Sequence, residues 1–207
     1  MRSVSAPIIA ADVLKEAAEL FRTRGYHKTR MQDIAARFGV THAALYYHFK
    51  SKQDILAQIN LSAIRDILAT ARSIAGQELP PEERLTQLVR AHFLWVAENA
   101  ALASSLLDFD DELPSRTMRK IRDLRREYTV MLRETYAEGV AQGALTDLDP
   151  RLAINFIIGA GNWVYRWYHP GDAPSPKDIA DNGVRLWAEG FLRRPGGKPR
   201  GAARAKD

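Results

Sequence analysis

Apolar residues recur along most of the chain at helical spacing, and the strand pattern is weak throughout. Val13, Ala17, Leu20 and Phe21 make one stripe, predicting a helix from about Ile8 to Arg24 that Gly25 ends. Met31, Ile34, Ala35 and Phe38 fall at i, i+3, i+4 and i+7, with Thr29 as the expected N-cap, Asp33 in the first turn and Gly39 as the stop. Thr41 caps a short third helix to His48 that turns Ala44, Leu45 and the following Phe49 inward, and Ser51 caps a fourth reaching toward Ile74. Pro80-Pro81 with Glu82-Glu83 opens a fifth, whose Leu85, Leu88, His92, Trp95 and Val96 share a face. Further helices are expected over Asn99–Leu107, Pro114–Gln142, Asp149–Tyr168 and Ser175–Arg193, the last opened by the capping run Ser175-Pro176-Lys177-Asp178. Nine helices and no repeats make an all-α chain.

The second and third helices are joined so tightly that they must cross, which makes 25–52 a helix-turn-helix. Its outward residues Thr41, His42, Ala43, Tyr46, Tyr47 and His48, together with Thr29 and Lys52, are the expected contacts to double-stranded DNA. Lys50, Ser51 and Lys52 bring cations and a helix N-terminus to one place, where a phosphate fits. The domain reading is a three-helix DNA-binding head over 1–52, a ligand-binding and dimerisation body over 53–194 and a disordered basic tail over 195–207.

Across about residues 8–60 the runs FRTRGYHKT, DIAARFGVT and LYYHFKSKQDIL resemble the TetR family of bacterial transcriptional regulators. The family commonly carries Gly-Thr where this chain has Ala43-Ala44, so one hydroxyl used at the DNA surface is replaced. The resemblance implies a homodimer on a palindromic operator, with the C-terminal domains holding a small effector and the interface. Residues Gly161–Asp172, GNWVYRWYHPGD, are similar to a segment of TetR-type regulators that sense acyl-CoA thioesters, with His169 where arginine is frequent.

Charge supports a division of labour: residues 1–60 carry a net +4, 61–190 a net −4 and 191–207 a net +5. No cysteine is present, which removes disulfides and thiolate metal sites. Met1–Pro7 lacks the apolar core of a signal peptide, and Asn155, Asn162 and Arg166 break the richest apolar run, so a cytoplasmic protein without a membrane segment is expected.

In the eighth helix apolar side chains occupy nearly the whole circumference, so one side can meet the body and another a second subunit. Phe156, Gly159, Trp167, Trp187 and Phe191 are the expected interface positions. An acyl-CoA effector needs an apolar tunnel and cations for its phosphates: Phe93, Trp95, Leu106, Phe109 and Trp163 are assigned to the first, Arg119, Arg122 and Arg125 to the second, and the resemblance adds Asn162 to the ligand site. A sensor of hydrophobic drugs on the same fold is the rival, for which the aromatics would serve but the arginines would not. No cofactor is implied. The enzyme alternative rests on Asp108, Asp110, Asp111 and Glu112 as a magnesium site, without any phosphate loop, nucleophile elbow or HExxH pair to support it. Those acids read instead as a solvated loop.

Overall fold

A computed structural model describes residues 6–169 and 171–189, with side chains from residue 12 onward. Among the described residues there are nine α-helices and no strand. They are α1 (Ala6–Arg24), α2 (Met31–Phe38), α3 (His42–His48), α4 (Lys52–Ala75), α5 (Pro81–Glu98), α6 (Ala100–Asp108), α7 (Ser115–Ala141), α8 (Pro150–Trp167) and α9 (Pro176–Glu189), with a 3-10 turn at Asp110–Glu112. None of these helices is long and apolar enough to cross a membrane.

Local signals set most boundaries. Gly25 and Gly39 adopt positive φ of 86° and 71°, the left-handed conformation that closes α1 and α2. Thr41 Oγ1 accepts the Ala44 N–H at 3.1 Å and Ser51 Oγ accepts that of Asp54 at 3.1 Å, so both expected caps form. Ser175 and Asp178 cap α9 reciprocally, the Asp178 carboxylate accepting from the Ser175 N–H at 3.1 Å and Ser175 Oγ from the Asp178 N–H at 3.2 Å.

One apolar core runs from head to body. In the head Phe21, Ile34, Leu45 and Phe49 are buried under the three short helices; in the body Leu56, Leu85, Leu88, Ile121 and Leu132 fill the bundle. The 24 residues of α4 belong to both ends and, at 1.5 Å per residue, span roughly 36 Å. α5 is the central helix of the body, packing on α4, α7, α8 and α9.

Candidate nucleic-acid interface and ligand cavity

Leu45 and Phe49 are 2% and 1% exposed, and they anchor α3 while its other side stays in solvent. His42, Ala43, Tyr46, Tyr47 and His48 all lie on that side, with Tyr47 87% exposed. The His42 ring meets Tyr46 edge-on at 4.7 Å and Tyr47 meets His48 at 5.2 Å, so the face carries paired aromatic and imidazole groups. Ala44, expected inside, is exposed: in a helix of seven residues Leu45, with Phe49 beyond its end, completes the inward stripe. Lys28, Arg30 and Lys50 are exposed and have no ion pair among the described residues. Arg37 instead holds Glu16 at 2.8 Å, pinning α2 to α1.

Two expected contacts are corrected. Thr29 does not cap α2. It is fully buried, its hydroxyl donating to the Gly25 carbonyl at 2.9 Å, and the Asp33 carboxylate takes the capping role by accepting the Arg30 N–H at 2.7 Å. Lys52 turns inward as well: Nζ donates to the carbonyls of Tyr26 at 2.7 Å and Thr29 at 2.9 Å and sits 4.2 Å from the Tyr26 ring centre. Burial lowers its pKa. Lys52 is therefore a clasp between α4 and the turn before α2, and Lys50 is the cation left facing solvent. The Lys50 N–H is itself taken by Asp54 at 3.0 Å.

Within the body a cavity of about 140 Å³ lies between α4, α5, α6, α7 and α8. Its wall is apolar from Ile64, Ile67, Val96, Leu106 and Ile158, with His92, Tyr128, Asn162 and Arg125 as polar members. Trp95 belongs to the wall and donates its indole N–H to Asp66 of α4 at 2.6 Å. Burial pushes the His92 imidazole down to about 4, so it is neutral at physiological pH, and pushes the Tyr128 hydroxyl upward. Arg125 donates to both Asp110 oxygens, at 2.7 and 2.9 Å, and to the Leu106 carbonyl.

Four of the nine residues assigned to the effector, Trp95, Leu106, Asn162 and Arg125, thus line the cavity. The others do not. Phe93 fills the joint against Gly161 and Gly183, where added Cβ atoms would come within 3.2 and 2.7 Å of its ring. The Phe109 ring meets that of Tyr26 at a tilt of 37°, with centroids 5.8 Å apart, joining body to head. Trp163 is 63% exposed on the outer side of α8. Arg119 and Arg122 are exposed, although Arg122 shares with Arg125 a surface groove over the Asp110 loop. The spacing of His92 and Tyr128 marks them as core residues, and they are; it gives no sign of the cavity edge they form.

The acidic run is solvent-accessible, as expected, but most of its carboxylates have partners. Asp108 accepts from the Tyr165 hydroxyl at 2.6 Å and from Arg166 at 2.7 Å, Asp110 holds Arg125, and Glu112 meets His27 of the head at 2.8 Å. The Glu112 carbonyl also accepts from Gln53 at 3.2 Å. Three of the four carboxylates are thus joined to cationic or imidazole groups, and the loop ties the cavity wall to the head.

On the opposite side of the body Leu152, Phe156, Trp163 and Trp167 of α8 are 57%, 76%, 63% and 51% exposed, and Leu186 of α9 is 55% exposed. Gly159 lies within this stripe with open space above it, and Trp187 is half-buried beside it; Phe191 lies outside the described residues. An apolar helical face of this size does not normally remain in water.

Comparison with known proteins agrees at both ends of the chain. Residues 13–59 match bacterial regulatory proteins of the tetR family, and residues 78–191 match the tetracyclin repressor-like C-terminal domain. The HTH-type transcriptional repressor KstR2 of Mycobacterium tuberculosis is 30% identical over 185 residues, covering 88% of this chain and 92% of its own. The structure of that ketosteroid regulator superposes with a TM-score of 0.82 at 25% identity, over 93% of this chain and 98% of its own. The TetR-family regulator PfmR of Thermus thermophilus gives a TM-score of 0.80 at 31% identity over 87% and 99% of the two chains. AibR, solved with isovaleryl coenzyme A and operator DNA, gives 0.73 at 27% identity over 86% and 97%. With family models matched over residues 13–59 and 78–191 and the fold shared over most of the chain, the chain belongs to the TetR family of transcriptional regulators and is not an enzyme.

Proposed function

We propose that this protein is a cytoplasmic repressor that binds a palindromic operator as a homodimer and leaves it when a small acyl group, carried as a CoA thioester, occupies the body cavity. The observation that carries the reading is the cavity itself, lying among helices α4 to α8 and bounded by Arg125, whose partner Asp110 sits in the loop that contacts the head. A ligand that displaces Arg125 acts on the Asp110–Glu112 loop, and one that displaces Trp95 acts on α4, each of which reaches the head. Coupling follows only if the two head arrangements bind the ligand with different affinities.

Size and charge favour an acyl-CoA over a large drug. A cavity of about 140 Å³ has room for a compact apolar group of benzene size. The groove of Arg122 and Arg125 adjoins it, so phosphates outside the cavity have cations to meet. AibR, a regulator solved with isovaleryl coenzyme A and operator DNA, points the same way. The exposed α8 and α9 stripe supplies the dimer contact, and the α3 face with Lys28, Arg30 and Lys50 supplies the groove and phosphate contacts.

Selection from randomised duplexes tests the DNA half: enrichment of a palindrome with half-sites spaced for two heads is expected, and no enrichment rejects it. Thermal shift across CoA, acyl-CoAs, free acids and hydrophobic cations tests the effector half, since a ligand bound only by the folded state raises its stability. A response to cations and to no acyl-CoA would replace the effector with a drug.

A further inference from the structure

The cavity and the outer groove are successive stretches of one face of α7. Met118, Arg122, Arg125 and Thr129 recur there at i, i+4, i+7 and i+11; the first two line the groove and the last lines the cavity. Arg125 lines both, and it is the one described residue that does. Between Arg122 and Thr129 the helix rises about 10 Å, so a single side chain separates the two spaces. That side chain is tied in place. Its guanidinium donates to both Asp110 oxygens, at 2.7 and 2.9 Å, and to the Leu106 carbonyl near the end of α6. Asp110 in turn opens the 3-10 turn that ends at Glu112, where His27 and Gln53 of the head are bound.

The Arg125 and Asp110 side chains are 27% and 37% exposed, and an ion pair with that much access to water opens at modest cost. Behind it, about 140 Å³ takes a group of roughly benzene size. A ligand that fits wholly inside lets the pair close again. One that carries an arm out toward the groove leaves the arm where the guanidinium lies, and Asp110 loses its partner. The enclosed ligand then binds equally well whether or not the turn moves the head, so it shifts no equilibrium, whereas the armed ligand binds where Asp110 has let go.

We propose that Arg125 is a door between groove and cavity and that the protein responds to occupants which hold it open: a compact acyl group on a polar arm releases DNA, and the same group without the arm binds silently. The acyl group rests on the proposed effector; the door does not, and the test separates the two. Three compounds share the isovaleryl group: isovaleryl-CoA with the full arm, the N-acetylcysteamine thioester with a short neutral arm, and 4-methyl-2-pentanone with none. Their binding to the intact protein is followed by thermal shift and calorimetry, and operator affinity by fluorescence anisotropy.

All three are expected to stabilise the protein. Both thioesters should raise the operator dissociation constant about tenfold or more, and the saturating ketone by less than about twofold. Asp110→Asn frees Arg125 without altering the cavity lining: the association rate of isovaleryl-CoA should rise severalfold, and operator affinity without ligand should fall toward the released level. If the ketone binds too weakly to saturate, this variant decides. Release by the ketone equal to that by the thioesters overturns the door and leaves an acyl effector standing. Binding of the ketone alone overturns the door, because an armed group then cannot enter, and so does an Asp110→Asn protein with wild-type association rate and operator affinity. Binding of none of the three overturns the effector, and the door with it.

Discussion

The head and the body carry their chemistry in opposite ways. On α3 the side chains proposed to meet DNA are what remains outside after Leu45 and Phe49 have anchored the helix, so the surface is specified by seven consecutive residues and two caps. The body cavity takes its wall from five helices, α4 to α8, spread over about half of the chain, and no single segment contains it. A surface of the first kind is changed residue by residue. A cavity of the second kind changes whenever any of its helices shifts, which is what a sensor requires.

The largest expected effect lies outside both sites. Phe156→Glu places a charge on the exposed apolar stripe of α8, and sedimentation should show monomers. Operator affinity should then fall on the order of a thousandfold, because one head reaches one half-site. A dimer that persists moves the interface elsewhere.

Acid separates the regions next. The folded pKa of His92 is depressed below its unfolded value, so between pH 6.5 and about 4 the unfolded chain binds more protons. Stability is retained above pH 6.5 and is lost as the pH falls through that window, by about 3 kcal/mol from this group. His92→Phe should flatten the slope of urea-derived stability against pH in this range. An unchanged slope would mean that the ring is not held neutral by burial.

Gly161→Ala sharpens the contrast. Its Cβ would press on the His92 ring at 2.4 Å from Cδ2, overfilling the joint between α5 and α8 at a cost of about 1–3 kcal/mol. Ligand response should weaken while the head still binds DNA. The same exchange at Gly159, which faces open space in the isolated chain, should stabilise the monomer by about 0.5–1 kcal/mol through helix propensity.

The smallest effect divides two neighbouring lysines. Lys50→Ala should lower the slope of log affinity against log salt by about 1, as one lost phosphate contact does, with stability unaffected. Lys52→Ala should leave that slope and instead lower the melting temperature, because its ammonium closes the Tyr26 and Thr29 carbonyls. The reverse outcome would restore Lys52 as the DNA contact.

These contrasts follow what was legible in the chain. Helix order and nearly every boundary were readable because caps such as Thr41 and Ser51 and stops such as Gly39 act within three or four residues. Thr29 misled for the opposite reason: its hydroxyl is drawn to Gly25, and Asp33 supplies the cap. An apolar periodicity shows which side of α5 or α8 is buried without showing what lies opposite. Phe93 therefore reads like Trp95, although one fills a joint against two glycines and the other lines a cavity. Likewise, nothing local tells that Asp110 and Glu112 meet Arg125 and His27, which lie 15 residues after one and 85 before the other. The available signal for the cavity was a set of exceptions: a histidine and a tyrosine on apolar stripes, and a glycine in an apolar helix.

Coupling between cavity and head is the central claim, and it is tested most directly by operator affinity at zero and saturating isovaleryl-CoA, using fluorescence anisotropy on the selected palindrome. The dissociation constant should rise roughly ten- to a hundredfold, and the operator should weaken ligand binding by the same factor, as linkage demands. An operator affinity that does not move, with thermal shift showing the ligand bound, would contradict the account.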